Sequence, residues 1–100
     1  MEDSVMTGKQ KRFLRAMGSE LDPVVQIGKA GVIKSVVDSA RDALWARELI
    51  KVRVLQNSPE EPKEAIAALA KATAAELVQV IGRNGLLYRP NPEKPKIELP

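Results

Sequence analysis

The chain has 100 residues, a typical length for one domain, and 44% of them are hydrophobic and 29% charged, as in ordinary globular proteins. It contains no cysteine and no histidine, so it lacks the ligands of a zinc finger, a cysteine nucleophile and the histidine of a serine triad. We therefore expect no enzyme, no small-molecule substrate and no metal or other cofactor. Lysine and arginine number 16 against 13 acidic residues, which makes the chain only mildly basic, but the basic excess is concentrated between Thr7 and Lys34, as expected at a site for a polyanion.

The sequence also argues against export and membrane insertion. Residues 1–4 lack the basic and then apolar order of a signal peptide. No apolar run approaches the roughly 20 residues that cross a bilayer. We therefore expect a cytoplasmic protein that does not enter a membrane.

The first predicted element is a helix that begins at Thr7. Thr7 and Gln10 have the spacing of a capping box, in which each side chain accepts a hydrogen bond from the backbone of the other residue. A glycine and a proline bracket the end of this helix, and residues 24–27 are predicted to form the first strand. The two sides of the helix differ, because a face predicted to pack carries Phe13, Leu14 and Met17 and the opposite, cationic side carries Lys11, Arg12 and Arg15.

A glycine loop, Gly28-Lys29-Ala30-Gly31, separates this strand from a second predicted helix. The apolar residues of that helix share one arc, and they are Ile33, Val36, Val37, Ala40 and Leu44. Residues 49–55 then alternate between apolar residues and basic ones, which predicts a second strand with one apolar face.

The second half of the chain predicts one more helix and two strands. The helix begins near Pro62, and residues 77–81 form the third strand. Gly82-Arg83-Asn84-Gly85 predicts a hairpin into a fourth strand that runs antiparallel to the third. Repeated prolines from Pro90 onward make another regular element improbable, although Ile97 and Leu99 can dock as a short extended piece.

These elements predict one α/β domain over residues 1–100, with 1–6 and 90–100 flexible or irregular. Strand-helix-strand units leave parallel strands, so the order α-β-α-β-α-β-β gives a two-layer domain with three helices and a mixed four-stranded sheet. The apolar sheet face is predicted to carry Val25, Ile27, Ile50, Val52, Val54, Val78 and Val80. The less covered face is predicted to carry Gln26, Lys51, Arg53 and Gln79.

The glycine loop is the main candidate site. A GxxG pattern is often only a tight turn, but here it leaves a strand and leads into a helix. The bare backbone can then approach a phosphate, the helix N-terminus offers free N–H groups, and Lys29 adds a charge. The GxxG loop of KH domains holds a nucleic-acid backbone with this geometry. Basic residues concentrate on the same N-terminal side of the predicted fold, namely Lys9, Lys11, Arg12, Arg15 and Lys34.

Two further basic residues, Lys51 and Arg53, are weaker candidates for RNA binding, since charges on an exposed strand also serve solubility and edge protection. The chain has only three aromatic residues and no evident stacking platform. We therefore expect contacts to the backbone and shape of structured RNA more than to unpaired bases.

Several long segments resemble the YhbY family, the bacterial stand-alone form of the CRM (chloroplast RNA splicing and ribosome maturation) domain. These segments are residues 7–15, 23–31, 48–52, 77–83 and 87–90. The resemblance implies a fold similar to the C-terminal domain of translation initiation factor three. It also implies an RNA-binding protein that associates with ribosomal RNA in precursor large ribosomal subunits and assists ribosome assembly.

In that family the RNA-contacting candidates correspond here to the loop Gly28, Lys29, Ala30 and Gly31 and to the basic residues of the first helix. The family usually has a threonine suited to helix capping after the loop, whereas this chain has Val32-Ile33-Lys34. Two alternative functions stay open. One is a protein-interaction module that meets an acidic partner through Lys51 and Arg53, and the other is an intron-splicing RNA-binding factor.

Overall fold

The computed structural model describes residues 6–100. Within these residues the elements follow the predicted order: α1 (Gly8–Gly18), β1 (Pro23–Ile27), α2 (Lys34–Arg47), β2 (Leu49–Val54), α3 (Pro62–Thr73), β3 (Glu76–Ile81) and β4 (Asn84–Tyr88). Most of the segment 1–6, which we predict to be irregular, lies outside the described residues.

Local signals in the sequence set the starts of two helices. The Thr7 hydroxyl accepts a hydrogen bond of 3.1 Å from the Gln10 backbone N–H, and the Gln10 side chain accepts one of 3.1 Å from the Thr7 N–H. This confirms the predicted capping box. Pro62 stands at the first position of α3, where a helix tolerates the missing N–H.

The sheet has the order β1-β2-β4-β3 and is mixed, as predicted. The β1 and β2 strands are parallel, and β4 is antiparallel to both of its neighbours. The β3–β4 hairpin turns at Gly82 and Arg83, and Gly82 adopts the left-handed φ of +58° that glycine tolerates best. The Asn84-Gly85 pair, part of the hairpin signal, lies in β4 itself.

Helices cover both faces of the sheet. The α2 and α3 helices pack on the face that carries Ile50, Val52 and Val54, which are fully buried. The α1 helix packs on the opposite face, where Leu14 joins the buried cluster of Leu49, Val78, Leu86 and Tyr88. The predicted two-layer arrangement is therefore correct for the sheet with α2 and α3. The α1 helix adds a third layer, which covers part of the other sheet face. This third layer forms because β2 and β4 also carry apolar residues at the alternate positions.

One residue of the predicted apolar face lies on the other side. The register between β3 and β4 shifts between Leu77 and Gln79, which marks a β-bulge. As a result Val78 packs with Leu14, while Leu77 and Val80 pack against the core under α2 and α3. The prediction for Val78 is wrong because regular alternation cannot anticipate an extra residue in a strand.

The packing face of α1 also differs from the prediction. Leu14 and Gly18 are buried, whereas Phe13 and Met17 are 38% and 37% exposed. A Cβ on Gly18 would collide with the Leu86 side chain, so the glycine lets the end of α1 lie directly on the sheet. The helix therefore turns its Leu14–Gly18 line toward the sheet.

Residues 89–100 form no helix or strand, as predicted for 90–100, but hydrogen bonds hold this segment in place. The Glu48 carboxylate accepts from the backbone N–H groups of Asn91, Lys96 and Ile97 at 2.6, 2.7 and 2.7 Å. Ile97 and Leu99 pack against the Leu14 cluster, which confirms that they dock.

Candidate nucleic-acid interface

Three loops meet at one end of the sheet. The last residues of β1 and β2, Ile27 and Val54, are paired, so the loops that follow them begin side by side. The β3–β4 turn lies at the same end, because the Val54 N–H donates to the Arg83 carbonyl at 2.7 Å. The glycine loop is thus part of an edge built from three connections.

The glycine loop is a tight turn with an exposed tip. The Gly31 N–H donates to the Gly28 carbonyl at 2.9 Å, and Lys29 and Ala30 at the tip are exposed. Gly31 is buried and has a φ of +77°. A Cβ on it would lie 3.3 Å from Cγ of Pro59, so the loop rests closely on the β2–α3 connection.

The helix after the loop begins without a side-chain cap. Ile33 occupies the N-cap position of α2 and its side chain accepts no hydrogen bond. The backbone N–H groups of the first turn of α2 consequently keep their capacity to bind an anion, which the helix dipole favours. Lys34 begins α2, but its ammonium group already pairs with Asp38 at 2.8 Å.

Arg83 supports this edge, a role that the sequence analysis did not assign. Its guanidinium donates to the carbonyls of Val54 and Leu55 at 2.8 and 2.7 Å. Leu55 in turn lies under Gly28, where a Cβ would be 3.6 Å from the leucine Cδ1. No local pattern marks these contacts, because Arg83 reaches residues 28 and 29 positions earlier in the chain.

The charge at this edge is mixed. Glu60 and Glu61 are exposed in the connection that supports Gly31, and Glu60 Oε1 lies 3.5 Å from where a Gly31 Cβ would be. An anion at the glycine loop would therefore depend on Lys29 and on the free N–H groups of α2 more than on a general excess of positive charge.

The basic residues of α1 lie elsewhere. Lys9 and Arg12 are exposed, and Lys11 and Arg15 are half-buried. The neighbouring Gln10 donates to the Pro100 carbonyl at 3.1 Å and lines a cavity with Glu76 and Tyr88, the first residue of β3 and the last of β4. The first turn of α1 therefore lies at the end of the sheet opposite the glycine loop. A six-residue strand spans about 20 Å, so a small ligand cannot bridge the first turn of α1 and the glycine loop.

The weaker candidates lie between these two ends. Lys51 and Arg53 point to the α1 side of the sheet, beyond the end of α1, as does Gln79. Lys51 is half-buried and Arg53 is exposed. The predicted polar sheet face is therefore present, although α1 covers the part of it nearest to Leu49.

Two other kinds of site are absent from residues 6–100. No group of three or more His, Cys, Asp or Glu residues is arranged to hold a metal ion in this part of the chain. Among these same residues, no helix combines the length and the apolar character needed to cross a membrane.

Comparisons with known proteins agree with this fold. The family model of the CRS1/YhbY (CRM) domain matches residues 6–89 of the sequence. The chain is 47% identical over 96 residues to a Bacillus subtilis protein named probable RNA-binding protein YqeI, covering 96% of this chain and 100% of that one. It is 39% identical over 97 residues to a Haemophilus influenzae protein named RNA-binding protein, covering 97% of each.

A solved structure is similar over nearly the whole chain. The solution structure of a hypothetical protein from Staphylococcus aureus superposes with a TM-score of 0.80 at 48% identity. The match covers 96% of this chain and 100% of that one. With a family model that matches most of its length and relatives of this similarity, the chain belongs to the CRS1/YhbY (CRM) domain family.

Proposed function

We propose that this protein binds RNA in the cytoplasm, associates with precursors of the large ribosomal subunit and assists their assembly. Residues 6–100 act as one binding unit with no catalytic step. The glycine loop holds the phosphate backbone, and the basic side of α1 makes a second contact to the same RNA.

The observation that carries the proposal is the tight Gly28–Gly31 turn beside an uncapped helix. Lys29 and Ala30 are exposed at the loop tip, and no side chain caps the N-terminus of α2 in competition with a phosphate. Backbone N–H groups at a helix N-terminus bind phosphate without reading sequence. The names of the Bacillus and Haemophilus relatives support RNA as the source of that phosphate.

The separation of the two basic groups favours a folded RNA. The protein measures 37 × 29 × 26 Å, and the glycine loop and the first turn of α1 lie at opposite ends of the sheet. Phosphates that contact the first turn of α1 and the glycine loop must be about 20 Å apart, as across a groove or a junction of a structured RNA. Ribosomal RNA in a precursor subunit offers such surfaces.

A charge reversal at the loop tip tests the proposal. Lys29→Glu places a negative charge at the exposed tip of the loop. Lys71→Glu makes the same charge change at an exposed position near the end of α3 and serves as the control. We expect Lys29→Glu to weaken binding to large-subunit ribosomal RNA about tenfold or more and Lys71→Glu to change it less than threefold.

Sedimentation of cell extracts tests the proposed association with precursors of the large ribosomal subunit. We expect the wild-type protein to migrate with free large subunits and their precursors, and its crosslinked RNA to be ribosomal. Recovery only in the top fractions at low salt, without enrichment of ribosomal RNA, would contradict the proposal and favour a protein partner.

A further inference from the structure

A cavity of about 270 Å³ lies where α1 stops short of covering the sheet. Gly18 and Ser19 at the end of α1 form one wall, and β2, β3 and β4 form the floor and the other walls. The side chains that line it include Ser19, Lys51, Gln79, Ile81, Asn84 and Leu86. Nothing in the contacts of the glycine loop involves this cavity.

The register of the sheet explains why these side chains converge. Residues paired across neighbouring strands point to the same face. One row therefore crosses three strands as Lys51, Leu86 and Gln79. A second row crosses all four strands as Gln26, Arg53, Asn84 and Ile81. The two rows contain two cations and no acidic residue, and the acids Glu20 and Asp22 line a separate cavity that also touches Lys51.

The polar groups of the cavity offer both donors and acceptors. Lys51 donates only, while the Gln79 amide both donates and accepts. Oδ1 of Asn84 is buried and accepts no hydrogen bond from residues 6–100. An unsatisfied buried acceptor is uncommon in native proteins, so Asn84 is a residue of this cavity with an unfilled capacity for hydrogen bonding.

The apolar side chains of the cavity indicate whether its ligand is a phosphate or a nucleobase. Ile81 is 63% exposed at the rim, and Leu86 lies beneath. A phosphate only accepts hydrogen bonds and would leave the Asn84 acceptor unpaired beside apolar surface. A nucleobase has apolar faces for Ile81 and Leu86 and an edge that donates and accepts.

We propose that this cavity binds one unpaired nucleobase of RNA. The inference rests on the proposed function, because the base belongs to the RNA whose backbone the glycine loop holds. Ile81 packs against a face of the base, Gln79 and Asn84 hydrogen-bond its edge, and Lys51 and Arg53 neutralise the adjacent phosphates. The base must be unpaired, since the bases of an A-form duplex are stacked inside it and cannot enter a recess in a protein surface.

Site-resolved NMR with two probes tests this inference. The probes are an unstructured RNA hexanucleotide of mixed sequence and a fully paired RNA duplex. We expect the side-chain amide signals of Gln79 and Asn84 to shift with the hexanucleotide and not with the duplex. The backbone amides of residues 28–36 report the proposed function separately, and we expect them to shift with both probes.

Substitutions then measure the contribution of the cavity. Gln79→Ala and Ile81→Ala each remove one contact to the base, and we expect each to weaken hexanucleotide binding about tenfold while changing duplex binding less than twofold. Gln26→Ala is the matched control. Gln26 is exposed in the row that contains Asn84 and Ile81, but it does not line the cavity. It should change both affinities less than twofold. If Gln79→Ala fails to fold, Ile81→Ala carries the test from its exposed position.

The outcomes separate the two ideas. Shifts of residues 28–36 without shifts of the cavity amides would overturn the base site and leave the proposed function intact. Shifts of the cavity amides alone would support the base site and contradict the role of the glycine loop. Equal losses on both probes, or a response of the cavity amides to an acidic peptide and not to RNA, would also overturn the base site.

Discussion

The carboxylate of Glu48 accepts a hydrogen bond of 2.6 Å from the backbone N–H of Asn91, 43 residues further along the chain. The Asn91 side chain continues the link, since its Nδ2 donates to the Trp45 carbonyl at 2.9 Å. Its Oδ1 accepts from the N–H groups of Glu93 and Lys94. One buried acid thereby fixes a C-terminal segment that forms no helix or strand, and this relationship leads to the first two predictions.

We expect Glu48→Gln to destabilise the protein by about 2–3 kcal/mol, because an amide keeps the size of the side chain but loses the charge that three backbone N–H groups share. Urea denaturation measures the loss. Amide hydrogen exchange at Asn91, Lys96 and Ile97 should accelerate at the same time. Glu93→Gln is the control at an exposed position of the same segment, and an equal loss in both variants would show that the Glu48 bonds contribute nothing specific.

The same carboxylate predicts a loss of stability in acid. Burial by itself raises the pKa of Glu48, but the backbone hydrogen bonds from Asn91, Lys96 and Ile97 and the charge of Lys96 outweigh it and lower the pKa below the usual 4.5. A folded-state pKa below the unfolded one gives stability that is present at neutral pH. That stability is lost as the pH falls from about 4.5 through the folded-state pKa.

Unfolding free energies measured between pH 3 and pH 7 check this dependence. The decline toward acid should be smaller in Glu48→Gln than in the wild type, because the variant has no carboxylate at this position to protonate. Parallel declines in the two proteins would assign the acid sensitivity to other groups.

The two glycines of the loop should differ in their tolerance of alanine. Gly31 has a φ of +77° and a Cβ there would lie 3.3 Å from Pro59 Cγ, so we expect Gly31→Ala to cost about 1–2 kcal/mol of stability. Gly28→Ala places its Cβ at an ordinary 3.6 Å from Leu55 Cδ1, and we expect a change below about 0.5 kcal/mol. Thermal unfolding of both variants distinguishes them, and identical melting temperatures would contradict the geometry of the loop.

The end of α3 offers a stabilising substitution. Ala74 has the left-handed φ of +58° at the C-cap, a conformation that glycine adopts without a Cβ penalty. We expect Ala74→Gly to stabilise the protein by about 0.5–1 kcal/mol. Ala68→Gly, at an exposed position inside the same helix, should instead destabilise it by about 1 kcal/mol. Chemical denaturation of the pair checks the sign, and a loss in both variants would refute the prediction.

RNA binding should depend strongly on salt. If about four phosphates are neutralised, a slope of about 0.7 per phosphate predicts that binding weakens about fiftyfold when salt rises from about 50 to 200 mM. Titrations of single-stranded RNA at several salt concentrations measure the slope. A change of only about twofold would contradict electrostatic contact with the backbone.

Much of this fold follows from short stretches of sequence. Thr7 and Gln10 cap α1, Pro62 opens α3, and apolar alternation over residues 49–54 defines β2. Each of these signals acts between residues a few positions apart, so it can be recognised without knowing the rest of the chain. The glycine loop was recognisable for the same reason, because a turn between a strand and a helix is a local event.

Other features depend on residues far apart in the chain, and only the tertiary structure decided them. The bulge at Leu77 and Gln79 adapts β3 to β4, and α1 turns Leu14 and Gly18 to the sheet because that line fits against Leu86. The first turn of α1 and the glycine loop both lie in the first third of the chain yet at opposite ends of the sheet. Packing and register across four strands determine these placements, and no local pattern encodes which partner a side chain will meet.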